Sequence, residues 1–208
     1  MTNKFTLNIK QVFDLALQFQ NKKNFNEAKK LYKKVIGIEP ELLEAQYNLG
    51  VIYEETRDYD KAIKHYKKTI YLNPSFIYSY NNLGLIYNKL GKYKDSIECL
   101  TKLKKINPQY INAYNNIGIA HISLGQYTEA IENFILALNI DEKNSNALYN
   151  LIQALRFCTP KIKNPIIEIS KNLKNLNKTI NFEELLISNK NLSSFLNSAY
   201  SNINKIKN

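Results

Sequence analysis

An asparagine recurs every 34 residues along this chain, at Asn48, Asn82, Asn116 and Asn150, with Asp14 one step before the series. A primary amide carries both a donor and an acceptor, so it can pair bidentately with one peptide unit of an extended chain. Repeating that group at a fixed spacing suits recognition of a backbone rather than of particular side chains. Other slots vary from repeat to repeat, as Glu44, Tyr78, Asn112 and Asn146 do. Catalytic chemistry has little to work with. His65 and His121 are the only histidines, and they belong to no Ser/His/Asp set, metal cluster, glycine-rich phosphate loop or paired-carboxylate site. His121 is expected as a packed core residue. We expect no enzymatic activity, no cofactor and no metal.

The positive charge is a weaker signal than its size suggests. A formal charge of +11 comes almost wholly from lysine, since Arg57 and Arg156 are the only arginines. Nucleic-acid sites favour the planar fork of arginine alongside lysine. Asparagine and isoleucine are also abundant, as compositional drift would produce. The apolar fraction, 44%, is ordinary for a folded soluble protein. There is no long uncharged apolar run, and the opening MTNKFTLNIKQVF lacks a secretory pattern, so an intracellular, cytoplasmic protein is expected. Cys99 and Cys158 lie far apart without CxxC spacing and read as reduced, small apolar residues.

The elements that must position the asparagines repeat with them. Gly50, Gly84 and Gly118 are spaced by 34, as are Tyr59, Tyr93 and Tyr127, and Pro40, Pro74 and Pro108. A fixed period in this range marks a stacked-repeat architecture. The frame gives repeats at about 9–42, 43–76, 77–110 and 111–144, with a partial fifth over 145–158. Leu83, Ile86, Tyr87 and Leu90 have helical spacing, and Ile97, Leu100 and Leu103 repeat it in a second helix. Leu90-Gly91-Lys92 and Leu124-Gly125-Gln126 turn between the helices, and Asn73-Pro74 and Asn107-Pro108 close the second of each pair.

These residues resemble the tetratricopeptide repeat family. The small residue of the first helix is Ala16, Gly50, Gly84 and Gly118, and the aromatic three positions on is Phe19, Tyr53 and Tyr87, with His121 in the fourth repeat. In the second helix the small residue is Ala28, Ala62, Ser96 and Ala130, followed by Tyr32, Tyr66, Leu100 and Phe134. Small residues let paired helices approach and large ones fill the space between layers. The resemblance implies an all-α fold, a right-handed α-α superhelix or solenoid of helix pairs. In the fifth repeat Ile152 replaces the glycine and Thr159-Pro160 ends the helix. Residues 159–208, with Ile166, Ile169, Leu173 and Leu176 at helical spacing, are expected as a helical C-terminal cap.

In this family the first helices line a concave groove. The resemblance therefore implies that Asn48, Asn82, Asn116 and Asn150 form a row along it, similar to the asparagine ladder of repeat arrays attached to O-linked N-acetylglucosamine transferases. Tyr47, Tyr78, Asn81, Asn112, Asn115 and Lys89 lie near the same wall and would set preference. The two-carboxylate clamp for chaperone C-termini is not expected: Lys10 and Asn48 would serve, but Asp14, Tyr78 and Asn82 occupy its other positions. Lys30, Lys33, Lys34, Lys61, Lys64, Lys67, Lys68, Lys94, Lys102, Lys104 and Lys105 fall on second helices, broken in the fourth repeat by Glu129 and Glu132. They read as a solvated face. Nucleic acid is not the expected partner, because aromatics interleaved for base stacking are not evident there. The expected function is a non-catalytic scaffold that holds an extended peptide or partner segment. The rival is the substrate-recruiting module of a glycosyl-, methyl- or sulfotransferase.

Overall fold

A computed structural model describes residues 8–141 and 144–158. Among these residues the chain forms α1 (Ile9–Asn21), α2 (Phe25–Ile38), α3 (Leu43–Glu55), α4 (Tyr59–Leu72), α5 (Ile77–Lys89), α6 (Tyr93–Ile106), α7 (Ile111–Ser123), α8 (Tyr127–Ile140) and α9 (Ser145–Cys158). Each helix start from α3 onward lies 34 residues after the start two helices earlier. The all-α helix-pair solenoid expected from the sequence is therefore the fold adopted. The expected C-terminal cap lies outside the described residues.

Local chemistry sets the helix starts. Asn8 begins α1 with a capping box: its side chain accepts from the Gln11 amide at 2.8 Å, and the Gln11 side chain accepts from the Asn8 amide at 2.9 Å. Asn24 and Asp58 cap α2 and α4 through the amides of Glu27 and Lys61.

Two compact units divide between Leu90 and Gly91. In the first, α1 packs on α2, α2 on α3, α3 on α4 and α4 on α5. Its core holds Val12, Ala16, Tyr32, Val35, Leu49, Ile52, Tyr66 and Ile86. In the second, α7 packs on α6, α8 and α9, and α8 on α9. Leu100, Leu103, Ile131, Phe134, Ile135, Leu138 and Leu151 are its largest fully buried side chains, and Cys99 is buried in α6.

The turn within each helix pair reveals a slot the sequence hides. Lys23, Arg57, Gly91 and Gly125 are spaced by 34 and all have positive φ, at 57°, 59°, 71° and 72°. This left-handed residue lets the next amide reach back to the helix, as Asn24 does to Phe19, Asp58 to Tyr53 and Gln126 to His121. Glycine adopts that conformation without Cβ strain, whereas a side chain adds about 1–2 kcal/mol. Lys23→Gly and Arg57→Gly are each expected to stabilise the protein by about 1 kcal/mol, since neither alters the helix interior. Urea unfolding midpoints would show it. Lower midpoints would mean that the lysine and arginine stems contribute more packing than their strain costs.

Candidate functional site

The recurring asparagines of the first unit are built into a repeated relay. Asn48 Nδ2 donates to the Tyr32 hydroxyl at 3.1 Å, and that hydroxyl donates to Gln20 Oε1 at 2.8 Å. One repeat later, Asn82 Nδ2 donates to the Tyr66 hydroxyl at 3.2 Å, and that hydroxyl donates to Glu54 Oε2 at 2.9 Å. Gln20 and Glu54, Tyr32 and Tyr66, and Asn48 and Asn82 are each 34 apart. Both tyrosines are fully buried. Burial pushes the Tyr32 hydroxyl up to about 12 against the opposing effect of Asn48. The Tyr66 hydroxyl is raised further, first by burial and then by the Glu54 carboxylate. Both therefore remain protonated donors. In later repeats the middle position is Leu100 and Phe134, so a hydroxyl relay stops after two repeats.

Six of the ten expected groove residues lie in this first unit, and five of them come together. Asn82 Nδ2 also donates to the Tyr47 hydroxyl at 3.3 Å, and Asn81 Nδ2 donates to Asn82 Oδ1 at 3.1 Å. Tyr47 packs edge-on against Phe76 with ring centroids 5.1 Å apart and lies 6.4 Å from Tyr78. Tyr78 is 53% exposed and packs edge-on against Phe76 with ring centroids 5.6 Å apart. Lys89 Nζ is 3.1 Å from Glu54 Oε1, so it joins the cluster through the carboxylate that holds Tyr66. Asn48 belongs to the neighbouring relay through Tyr32.

In the second unit Asn112 is exposed and Asn115 is buried, while Asn116 and Asn150 are half-buried. Asn115 Nδ2 donates to Asn144 Oδ1 at 3.3 Å, and that same oxygen accepts from the Ala147 amide at the start of α9. Asn81 and Asn115, one repeat apart, thus share a feature: each amide nitrogen is engaged, and each Oδ1 is buried without a hydrogen-bond partner. Buried carbonyl oxygens normally find a donor.

The histidines do structural work. His65 stacks on Tyr53 with centroids 5.5 Å apart. Its Nδ1 donates to Gln46 Oε1 at 2.7 Å, since that oxygen can only accept. Burial pushes the pKa of His65 down to about 4, helped by Lys64 and Lys33. His121 does not lie in the core as expected. It is half-buried and bonds Gln126 at 2.9 Å, because it ends α7 beside the turn that carries Gln126. Among the described residues no group of three His, Cys, Asp or Glu side chains is placed to hold a metal, and no helix is long and apolar enough to cross a membrane.

Helix pairs repeating every 34 residues, with a small residue of one helix against a large side chain of the next, define a helical-repeat interaction scaffold. The chain belongs to the tetratricopeptide repeat family: models of that repeat match residues 9–33, 43–76 and 76–143. It is similar to a MamA crystal structure at 30% identity, with 66% of this chain and 81% of that chain covered and a TM-score of 0.63. A second MamA structure is 24% identical over 80% of this chain and 88% of that one, with a TM-score of 0.69. YrrB, described as a tetratricopeptide repeat protein with an unusual peptide-binding site, is 17% identical over 80% of this chain and 86% of that one, with a TM-score of 0.65. No curated protein sequence matches.

Proposed function

We propose that the chain is a non-catalytic adaptor that binds an extended peptide along the first helices of its repeats, α3, α5, α7 and α9. The array would run over 1–158, with 159–208 as its cap. The observation that supports this reading most directly is the cluster of Tyr47, Tyr78, Asn81, Asn82 and Lys89 on α3 and α5, in which Tyr78 is 53% exposed. Aromatic and amide side chains set side by side offer a bound peptide both apolar contact and hydrogen bonds. A peptide N–H or C=O is the group that an amide matches, and main-chain recognition of this kind depends little on the ligand's sequence. Asn48 and Asn82 are proposed to hold that wall in shape through Tyr32 and Tyr66, while Asn116 and Asn150 continue the row. Exposed Tyr78 and Asn112 would supply preference, beside Tyr47 and Lys89. A peptide-binding site is also what the YrrB description names for that protein.

The relay changes which substitution tests the proposal. Alanine at Asn48 or Asn82 would strip a donor from a buried tyrosine and confuse lost binding with lost stability. Tyr78→Ala combined with Asn112→Ala avoids those tyrosine bonds, because both side chains are exposed. Peptides selected from a display library against the wild-type protein, measured by fluorescence polarisation, are expected to bind the double variant at least tenfold more weakly, a loss of about 1.4 kcal/mol. Methylating the matching peptide nitrogens should reproduce the loss. Unchanged affinity in both experiments would remove the main-chain groove reading.

A further inference from the structure

The second helices of the first two repeats, α2 and α4, form a pocket with Tyr53 of α3. It encloses about 470 Å³ and is lined by Asn26, Glu27, Lys29, Lys30, Lys33, Tyr53, Asp58 and Lys61. Three ammonium groups converge over the Tyr53 ring: Lys29 at 5.8 Å, Lys33 at 6.0 Å and Lys61 at 5.4 Å from its centroid.

Two of these lysines break the repeat pattern at the point where they meet. The slot of Lys29 holds Ile63, Ile97 and Ile131 in the other repeats, and the slot of Lys61 holds Glu27, Asp95 and Glu129. A charge has replaced an apolar residue in one repeat, and a positive charge has replaced a negative one in the next. Both departures point into the same cavity. General lysine enrichment does not account for this, because it would fall evenly on solvated slots. Lys29 is half-buried in a pocket where four lysines face two carboxylates, Glu27 and Asp58, so the lining carries an excess of positive charge.

The charge balance indicates which anion. Lys30 is paired with Glu27 at 2.7 Å, and Lys61 is paired with Asp58. Among the described residues Lys29 and Lys33 have no ion-pair partner. The first turn of α2 (Asn26 and Glu27) forms part of the wall, where helix N-termini favour anions. Local potential is positive enough for Lys33 and Lys64 to help suppress protonation of neighbouring His65. Tyr53 is only 4% exposed, so its ring offers no platform for stacking a base.

We propose that this pocket binds a multiply charged phosphate group, held between the Lys29 and Lys33 ammoniums, with Lys61 and Lys30 completing the cradle. The group would come from a free phosphate compound or from a phosphorylated side chain of a partner.

Titration of the full chain with inorganic pyrophosphate, followed by amide NMR shifts, tests the site. Lys29→Ile with Lys61→Glu restores the residues of the other repeats and places an acid in the first turn of α4, so the fold should be kept, as circular dichroism would verify. That variant is expected to bind at least tenfold more weakly, with wild-type shifts concentrated at Asn26–Lys33 and Lys61. The control, Lys94→Gln with Lys105→Gln in α6, should bind within about twofold of wild type. A phosphoserine peptide that binds more tightly than pyrophosphate would assign the group to a partner protein, and the reverse order would assign it to a free compound. Absence of saturable binding by either, or equal loss in control and test variants, would overturn the proposal.

Discussion

Replacing Tyr66 with alanine is expected to cost about 3–5 kcal/mol, the range for deleting a large buried aromatic side chain. Tyr66 is fully buried, its ring lies against Gly50, and its hydroxyl links α4 to Glu54 on α3 and Asn82 on α5. Alanine would remove both the volume between helices and the hydroxyl. Tyr66→Phe separates the two effects. It keeps the ring and leaves Glu54 with Lys89 and Asn82 with Tyr47, so its expected cost is about 1–2 kcal/mol, close to that of lost hydrogen bonds to partly satisfied groups. Denaturant unfolding with both variants would measure the difference. If Tyr66→Phe were as stable as wild type, the relay would contribute shape without stability, and Asn82 would need another reason for its position. The same pair of substitutions at Tyr32 should give a smaller hydroxyl contribution, because Gln20 is neutral where Glu54 is charged.

The fold was legible because the period was. Spacing of 34 between Gly50, Gly84 and Gly118 placed every helix pair, and the helices begin where the frame requires. What the period concealed were slots filled by chemically unlike residues. Lys23 and Arg57 share a left-handed turn with Gly91 and Gly125, and nothing in lysine or arginine advertises that conformation. The candidate site was legible by half. The asparagine slot was visible, but its partners lie 16 residues earlier on another helix, and only the coincidence of Tyr32 with Asn48 and Tyr66 with Asn82 could have suggested them. Asn81 and Asn115 were visible as wall residues, whereas their unpartnered oxygens depend on which way each amide is turned. Lys29 was obscured by counting charges; aligned against Ile63, Ile97 and Ile131, it stands out.

Gly118 should tolerate even a methyl group poorly. A Cβ at that position would sit 2.5 Å from Phe134 Cε1 and 2.6 Å from Cζ, inside any normal contact distance, and the ring is fully buried. Overpacking of this kind costs about 3 kcal/mol at the upper end of its usual range, and the helix preference for alanine over glycine returns about 1 kcal/mol. Gly118→Ala is therefore expected to destabilise by about 2 kcal/mol. The repeats suggest the rescue, since the Phe134 slot is Leu100 one repeat earlier. With Phe134→Leu in place, adding Gly118→Ala should cost under about 0.5 kcal/mol, a coupling of about 1.5 kcal/mol in a double-mutant cycle. Gly50→Ala is a milder case, because its Cβ would meet Tyr66 Cε1 at 2.8 Å. Additive costs in the cycle would mean that the backbone of α7, rather than the aromatic ring, limits the slot. Strong coupling would show that each repeat sets helix spacing by matching one small residue to one large side chain, so the pair must be changed together.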